Sequence, residues 1–150
     1  MTLDSATNPL SPEARSAAVR SFWELVHDHR FDELEEILHE DVERIVLWYD
    51  GPDTKRGRDA YVGHLRRVIP TFDEWIVEAA EVHPAVDPRR AFMRCRERLT
   101  QGERTRVIDE LFEFGFAEDG RINLVNIFFK VDPAMASSVL SRYPLEAAAR

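Results

Sequence analysis

Residues 106–132 read RVIDELFEFGFAEDGRINLVNIFFKVD, and the pattern they carry decides the fold. Two long apolar strands meet at a tight turn, Glu118-Asp119-Gly120. Alternation places Ile108, Glu110, Phe112, Phe114 and Phe116 on one face of the first strand. That face is aromatic except for a single carboxylate, Glu110. An ionisable group aimed into an apolar wall is costly unless it is paired, protonated or used. Phe128 and Phe129 on the second strand extend the wall, which is then large enough to enclose a small molecule.

Working back from this hairpin, strands are expected at 73–83, 90–100, 104–117 and 121–131. Pro84 with Asp87-Pro88, then Gln101-Gly102, then Asp119-Gly120 separate them. Upstream, Ser11-Pro12-Glu13 is a helix start: a capping serine, a proline at the first helical position, an acid in the first turn. Val19, Phe22, Trp23 and Val26 then recur at helical spacing, predicting an amphipathic helix over 12–29. A shorter helix follows at 31–39, and VERIVLWY over 42–49 reads as a strand ended by Asp50-Gly51-Pro52-Asp53. A third helix runs from 58 to 69 and stops at Pro70, with Tyr61, His64, Leu65 and Val68 along its apolar stripe. The order is helix, helix, strand, helix, then an antiparallel meander. It predicts an α+β fold: a curved antiparallel sheet, a conical barrel, wrapped around the N-terminal helices. Residues 1–10 are expected as a flexible tail, 11–135 as the cone-shaped domain, and 136–150 as a C-terminal helix and tail.

A chain of 150 residues is long enough to bury roughly 70% of its unfolded surface in one core. No apolar run reaches the length of a membrane span and MTLDSATNPLSPEAR has no signal-peptide character, so a cytoplasmic location is expected. Cys95 is the only cysteine, which excludes an internal disulfide and fits a reducing compartment. The net charge of −8 disfavours nucleic acid and anionic membranes as partners. Basic residues are nearly all arginine, a pattern that fits a GC-rich bacterial genome.

Several segments in this order resemble the SnoaL-like group of the nuclear transport factor 2 fold. They are Trp48-Tyr49-Asp50-Gly51 at a strand end, Gly57-Arg58 opening a helix, and Glu118-Asp119-Gly120-Arg121-Ile122 before the last strand. EDVERIVLWYD, RGRDAYVGH and FDEW are similar to the phenazine-biosynthesis A/B proteins. The resemblance implies a cone-shaped domain, dimers through the sheet and cofactor-free chemistry: isomerisation, dehydration, cyclisation or hydrolysis, or binding alone. It also implies roles. A pocket histidine of the phenazine proteins matches His64, but their last-strand acid falls at Ile127. The aspartate–arginine–aspartate set of limonene epoxide hydrolases falls near Cys95, Glu97 and Ile127 and is absent. The aspartate base of ketosteroid isomerases corresponds to Asp50, while their first-helix tyrosine falls near Phe22.

His64 is therefore either a core histidine with a hydrogen-bond partner or a general acid–base. Glu110 is either a carboxyl whose pKa is raised in the pocket, or a surface acid turned outward by a bulge or paired with Arg94, Arg96 or Arg98. Asp50 is a rim base or a turn residue. These three are the catalytic candidates, with His64 and Glu110 expected to approach each other across the pocket. Trp23, Trp48, Tyr49, Tyr61, Glu97, Phe112, Asn126 and Phe128 are the candidates for holding substrate, a small apolar or aromatic molecule. Tyr61 or Tyr49 would donate to a developing oxyanion.

No metal or organic cofactor is expected. His27 and His29 point in different directions on a helix, and neither a His-Glu-x-x-His pair nor a phosphate-binding loop is present. Apolar residues on both faces of the 104–131 hairpin (Leu111 against Phe112, Ile127 and Phe129 against Phe128) predict a homodimer through the outer face of the sheet.

Overall fold

The computed structural model describes residues 8–46 and 53–130. Trp48, Tyr49, Asp50, residues 1–7 of the tail and the expected C-terminal segment 136–150 lie outside them. Residues 8–10 are not loose. Leu10 packs against the core, and Pro9 sits so close to Gly120 that a Cβ there would come within 2.8 Å of it. Gly120 also has φ +84°, so two independent constraints require glycine at this turn.

Helix α1 spans Pro12–His27, with the Ser11 hydroxyl accepting from the Ala14 amide as expected of its cap. Helix α2, Phe31–Ile37, is shorter than its apolar pattern predicted, because Leu38 already begins strand β1, Leu38–Val46. The two-residue strand β2, Lys55–Arg56, precedes helix α3, Arg58–Val68, which passes into a single 3-10 turn at Pro70. Strands β3 (Glu74–Pro84), β4 (Arg90–Gln101), β5 (Arg104–Phe116) and β6 (Ile122–Phe129) form the predicted antiparallel meander.

The sheet order is β2-β1-β6-β5-β4-β3. One pairing differs from a purely antiparallel sheet: β1 lies parallel to β6, since α3 and the meander intervene and bring the chain back in the same direction. Register shifts occur in β1 between Leu38 and Glu43, in β3 between Glu78 and Glu81, and between β5 and β6 at Gly115/Phe116. Such irregularities bend strands, so the α+β cone expected from the element order is built at these points.

The core lies between the helices and one face of the sheet. Phe22 of α1 meets Phe114 of β5 edge-on at 5.5 Å between ring centres, and Leu34, Leu38, Val62, Met93, Phe116 and Ile122 are fully enclosed around them. Arg15 is buried with this layer and has no carboxylate partner among the described residues. Its guanidinium donates instead to the carbonyls of Leu10, Ala85, Asp87 and Arg90, tying α1 to the β3–β4 turn. Four carbonyl acceptors are what a buried arginine needs when no acid is present. No helix among the described residues is long and apolar enough to cross a membrane.

Candidate active site

Strands β4 and β5 stay in unbroken register from Arg90↔Gly115 to Gln101↔Arg104. No bulge intervenes, so Glu110 keeps the face that alternation gives it. It is 8% exposed, and it lies beside Glu97, which is 9% exposed on β4. Cys95 pairs with Glu110 and Glu97 with Ile108, which makes the two carboxyls diagonal neighbours on the inner face. The two carboxyls are close enough to act on each other's protonation.

Burial is the main reason that both pKa values rise above the carboxylate range. The Glu97 charge raises Glu110 further, whereas Glu110 first and then the Trp75 side chain pull Glu97 partly back. Glu97 is therefore the side that ionises first, and the pair titrates as one unit holding one proton at intermediate pH. Among the described residues one oxygen of Glu110, Oε2, is buried without a hydrogen-bond partner, as is the Trp23 indole nitrogen.

The two glutamates line a cavity of about 230 Å³ between the helices and the sheet. From the helical layer, Trp23, Tyr61 and His64 reach the same space, together with Arg44 of β1. Phe22, Trp75, Phe112 and Phe129 supply aromatic walls. Trp23 stands edge-on to Phe112 at 4.8 Å and leans on Trp75 at 5.5 Å. Tyr61 is enclosed, and burial pushes its phenol well above the ordinary range, so it stays protonated and able to donate.

His64 is lowered to about 4, first by burial and then by Arg44, Lys55 and Arg67, with Asp53 opposing them. It is thus a neutral imidazole at neutral pH, a donor at one nitrogen and an acceptor at the other. His64 and Glu110 do line one cavity from opposite layers, but no hydrogen bond or ion pair joins them. The partner of Glu110 is Glu97, not His64.

Other candidates fall elsewhere. Phe128 is 48% exposed on the outer face, paired with Leu111, which is 41% exposed. Asn126 is on that face too, donating to Glu113 at 3.1 Å. The cause is the register shift at Gly115/Phe116. Counting by twos from buried Ile122 would send residues 124, 126 and 128 inward, but the shift reverses parity, so that Val125, Ile127 and Phe129 face inward. The expectation that Ile127 and Phe129 point outward is corrected for the same reason.

Arg44 and Trp75 were not foreseen. Alternation within VERIV, which puts Arg44 on the side of Val42 and Val46, was the available signal for the arginine. Cys95, also on the inner face, is held far above the ordinary thiol range by burial and by the neighbouring carboxyls, so it is not an activated nucleophile. Among the described residues no three His, Cys, Asp or Glu side chains are grouped to hold a metal ion.

The family model described as a SnoaL-like domain matches residues 19–125, which include both glutamates, His64 and Arg44. The chain belongs to the SnoaL-like family. No curated protein matches it in sequence. Among solved structures it is similar to SalBIII, described as an epoxide hydrolase/cyclase-like enzyme of pyran ring formation in the polyether salinomycin. That match has 16% identity and a TM-score of 0.68, covering 81% of this chain and 94% of SalBIII. An LEH-like epoxide hydrolase of M. tuberculosis is 20% identical with a TM-score of 0.64, over 87% of this chain and 92% of that one. The phenazine biosynthesis-related protein PhzB2 of Pseudomonas aeruginosa is 18% identical with a TM-score of 0.62, over 85% and 87%. At these identities the SnoaL-like likeness is one of fold.

Proposed function

We propose that this SnoaL-like chain is a cofactor-independent enzyme that isomerises, dehydrates, cyclises or hydrolyses a small, largely apolar molecule by general acid–base chemistry. The observation that carries this reading is the Glu97–Glu110 pair, two buried carboxyls side by side in an aromatic cavity, both raised in pKa by burial. A buried pair of this kind offers a base and an acid next to each other. Glu97, partly ionised, takes the proton from carbon or from water. Glu110, still protonated, returns one to the leaving or receiving oxygen. Tyr61 and neutral His64 are donors for charge that develops on a substrate oxygen. The fold neighbours that are described as hydrolase or cyclase-like support a reaction of this class. Asp50, beyond the described residues, remains a candidate base at the rim.

A dry engineered cavity of ~150 Å³ holds benzene. The 230 Å³ here therefore suits a molecule of one or two rings. The test is a panel of small cyclic ketones and epoxides incubated in heavy water, with deuterium uptake and ring opening read by mass spectrometry. Exchange or opening above buffer, lost in Glu97→Gln and Glu110→Gln, is the expected outcome. Activity that survives both substitutions contradicts the reading. A second reading, a binding module, draws on Ile127: an isoleucine lines the cavity where the related phenazine proteins carry an acid.

The functional unit is inferred to be a homodimer across the outer face, where Leu111 and Phe128 form an exposed apolar pair. Phe128→Asp should then convert a dimer mass in light scattering to that of a monomer. A monomer mass for the unaltered chain at micromolar concentration contradicts the inference.

A further inference from the structure

We propose that Arg44 is an anion-docking point within the cavity, so that the preferred ligand is a one- or two-ring molecule carrying a carboxylate or another singly charged oxygen group. This rests on the preceding reading, because it takes the same cavity as the working site. Arg44 stands on the inner face of β1 opposite Val125 of β6 and lines the cavity with His64, Glu97 and Glu110. A guanidinium has five N–H donors. Arg44 makes one hydrogen bond among the described residues, from Nη1 to the Asp53 carbonyl at 3.1 Å, and no ion pair. Three other arginines of the sheet differ: Arg90 is bound to Glu113, Arg96 to Asp109, and Arg98 to Glu74 and Glu78, while Arg94, Arg104 and Arg106 are exposed to water and do not line the cavity. Arg44 is therefore an intact positive fork facing a mostly apolar space.

The surroundings have the same sign. Lys55 is in register with Arg44 on β2, and Arg67 approaches from α3. All three act on His64, opposed there by Asp53. A local excess of cation in a chain of net charge −8 is opposite to the global field and draws anions to this end. The Glu97–Glu110 pair holds a proton and so answers the arginine with only part of its formal charge. A carboxylate matches the fork in two parallel hydrogen bonds, the geometry for which arginine is best suited.

Isothermal titration of the full chain with 1-naphthoate and with its neutral isostere 1-naphthamide tests the assignment. The acid should bind at least about tenfold more tightly than the amide. Arg44→Gln should bring the ratio close to one in a protein whose circular dichroism is unchanged. Arg44→Lys, which keeps the charge and loses the fork, should retain only part of the preference. Equal affinities in the unaltered chain, binding of neither compound, or a preference that survives Arg44→Gln overturns the proposal. If Arg44→Gln does not fold, an unchanged ratio in Arg44→Lys overturns it. The two readings fail separately. Deuterium exchange without acid preference removes the anion site and leaves the acid–base pair. Acid preference without exchange keeps the anion site and removes the enzyme.

Discussion

The two faces of the β4–β5 hairpin carry the same residue types one position apart, with opposite electrostatic outcomes. On the outer face the Arg96 guanidinium donates to Asp109 at 2.8 Å and Arg98 donates to Glu78 at 3.1 Å. Asp109 is held below the usual carboxylate range by Arg96. On the inner face Glu97 and Glu110 have each other, and both are driven upward. Glu97 is the chain neighbour of both Arg96 and Arg98, but strand alternation turns the arginines to water and the glutamate to the cavity. Whether an acid is a surface counter-ion or a proton store is decided by parity along the strand. Lysines or arginines nearby in sequence decide nothing.

The largest effect expected from this contrast is on turnover. Glu110→Gln and Glu97→Gln each remove one carboxyl of the pair while keeping shape, and should reduce deuterium exchange or ring opening by roughly 100- to 10,000-fold. The same change at Asp109 or Glu78 on the other face should leave the rate within about twofold. If an outer-face variant costs as much as an inner one, the contrast is broken. His64→Ala should cost roughly 100-fold, as for loss of one proton-handling group. Because His64 is already neutral, the residual rate should keep its pH profile between 5 and 8. A profile that loses a limb in this range would mean that the imidazolium, not the imidazole, is the working form.

The first strand of the hairpin was legible because its alternation is clean: Glu110 among phenylalanines on one parity, Asp109, Leu111 and Glu113 on the other. A two-residue loop at Gly102-Glu103 also fixes which residues oppose each other, so the Glu97–Glu110 diagonal was available from counting alone. The last strand was not legible. INLVNIFF is apolar on both parities, and the register shift that reverses them leaves no compositional trace beyond Gly115. A Cβ at Gly115 would come within 2.7 Å of the Asn123 side chain and 2.8 Å of Leu124. Hence Asn126 and Phe128 were placed inside and Phe129 outside. Arg44 is hard to see in the sequence because an arginine in a strand reads as solvated, and only its parity with Val42 and Val46 says otherwise. The α+β cone survived these errors, since element order and helix caps do not depend on strand parity.

Stability should sharpen the contrast with a sign. The inner carboxyls have folded pKa values raised above the ordinary 4.5, so the folded state holds a proton that the unfolded chain releases. Their contribution to stability is fully present below about 4.5 and is lost as pH rises through neutrality. Glu110→Gln removes the share of that dependence that belongs to Glu110. The variant should therefore gain on the parent between pH 5 and pH 9, by on the order of a kcal/mol or two in urea midpoints at equal slope. His64 acts in the other direction. Its folded value is lowered from 6.5 to about 4, so its contribution is present above 6.5 and is lost as pH falls toward 4. A Glu110→Gln difference that shrinks with rising pH would mean that the pair is not protonated in the folded chain.

The smallest effect belongs to the outer face. Arg96 and Asp109 are directly opposite across β4 and β5, with side chains 53% and 42% exposed. Water screens such a pair, and holding two side chains in one geometry costs entropy that offsets the attraction. A double-mutant cycle through Arg96→Gln and Asp109→Asn should give a coupling smaller than either inner-face effect, and it should fade when salt is raised to about 1 M. The matching cycle through Glu97→Gln and Glu110→Gln should give a coupling that persists in salt, because the inner pair is buried away from the ions that screen the outer one. A salt-sensitive inner coupling, or an outer one that persists at high salt, would show that both acid pairs occupy the same dielectric and that strand parity does not separate them.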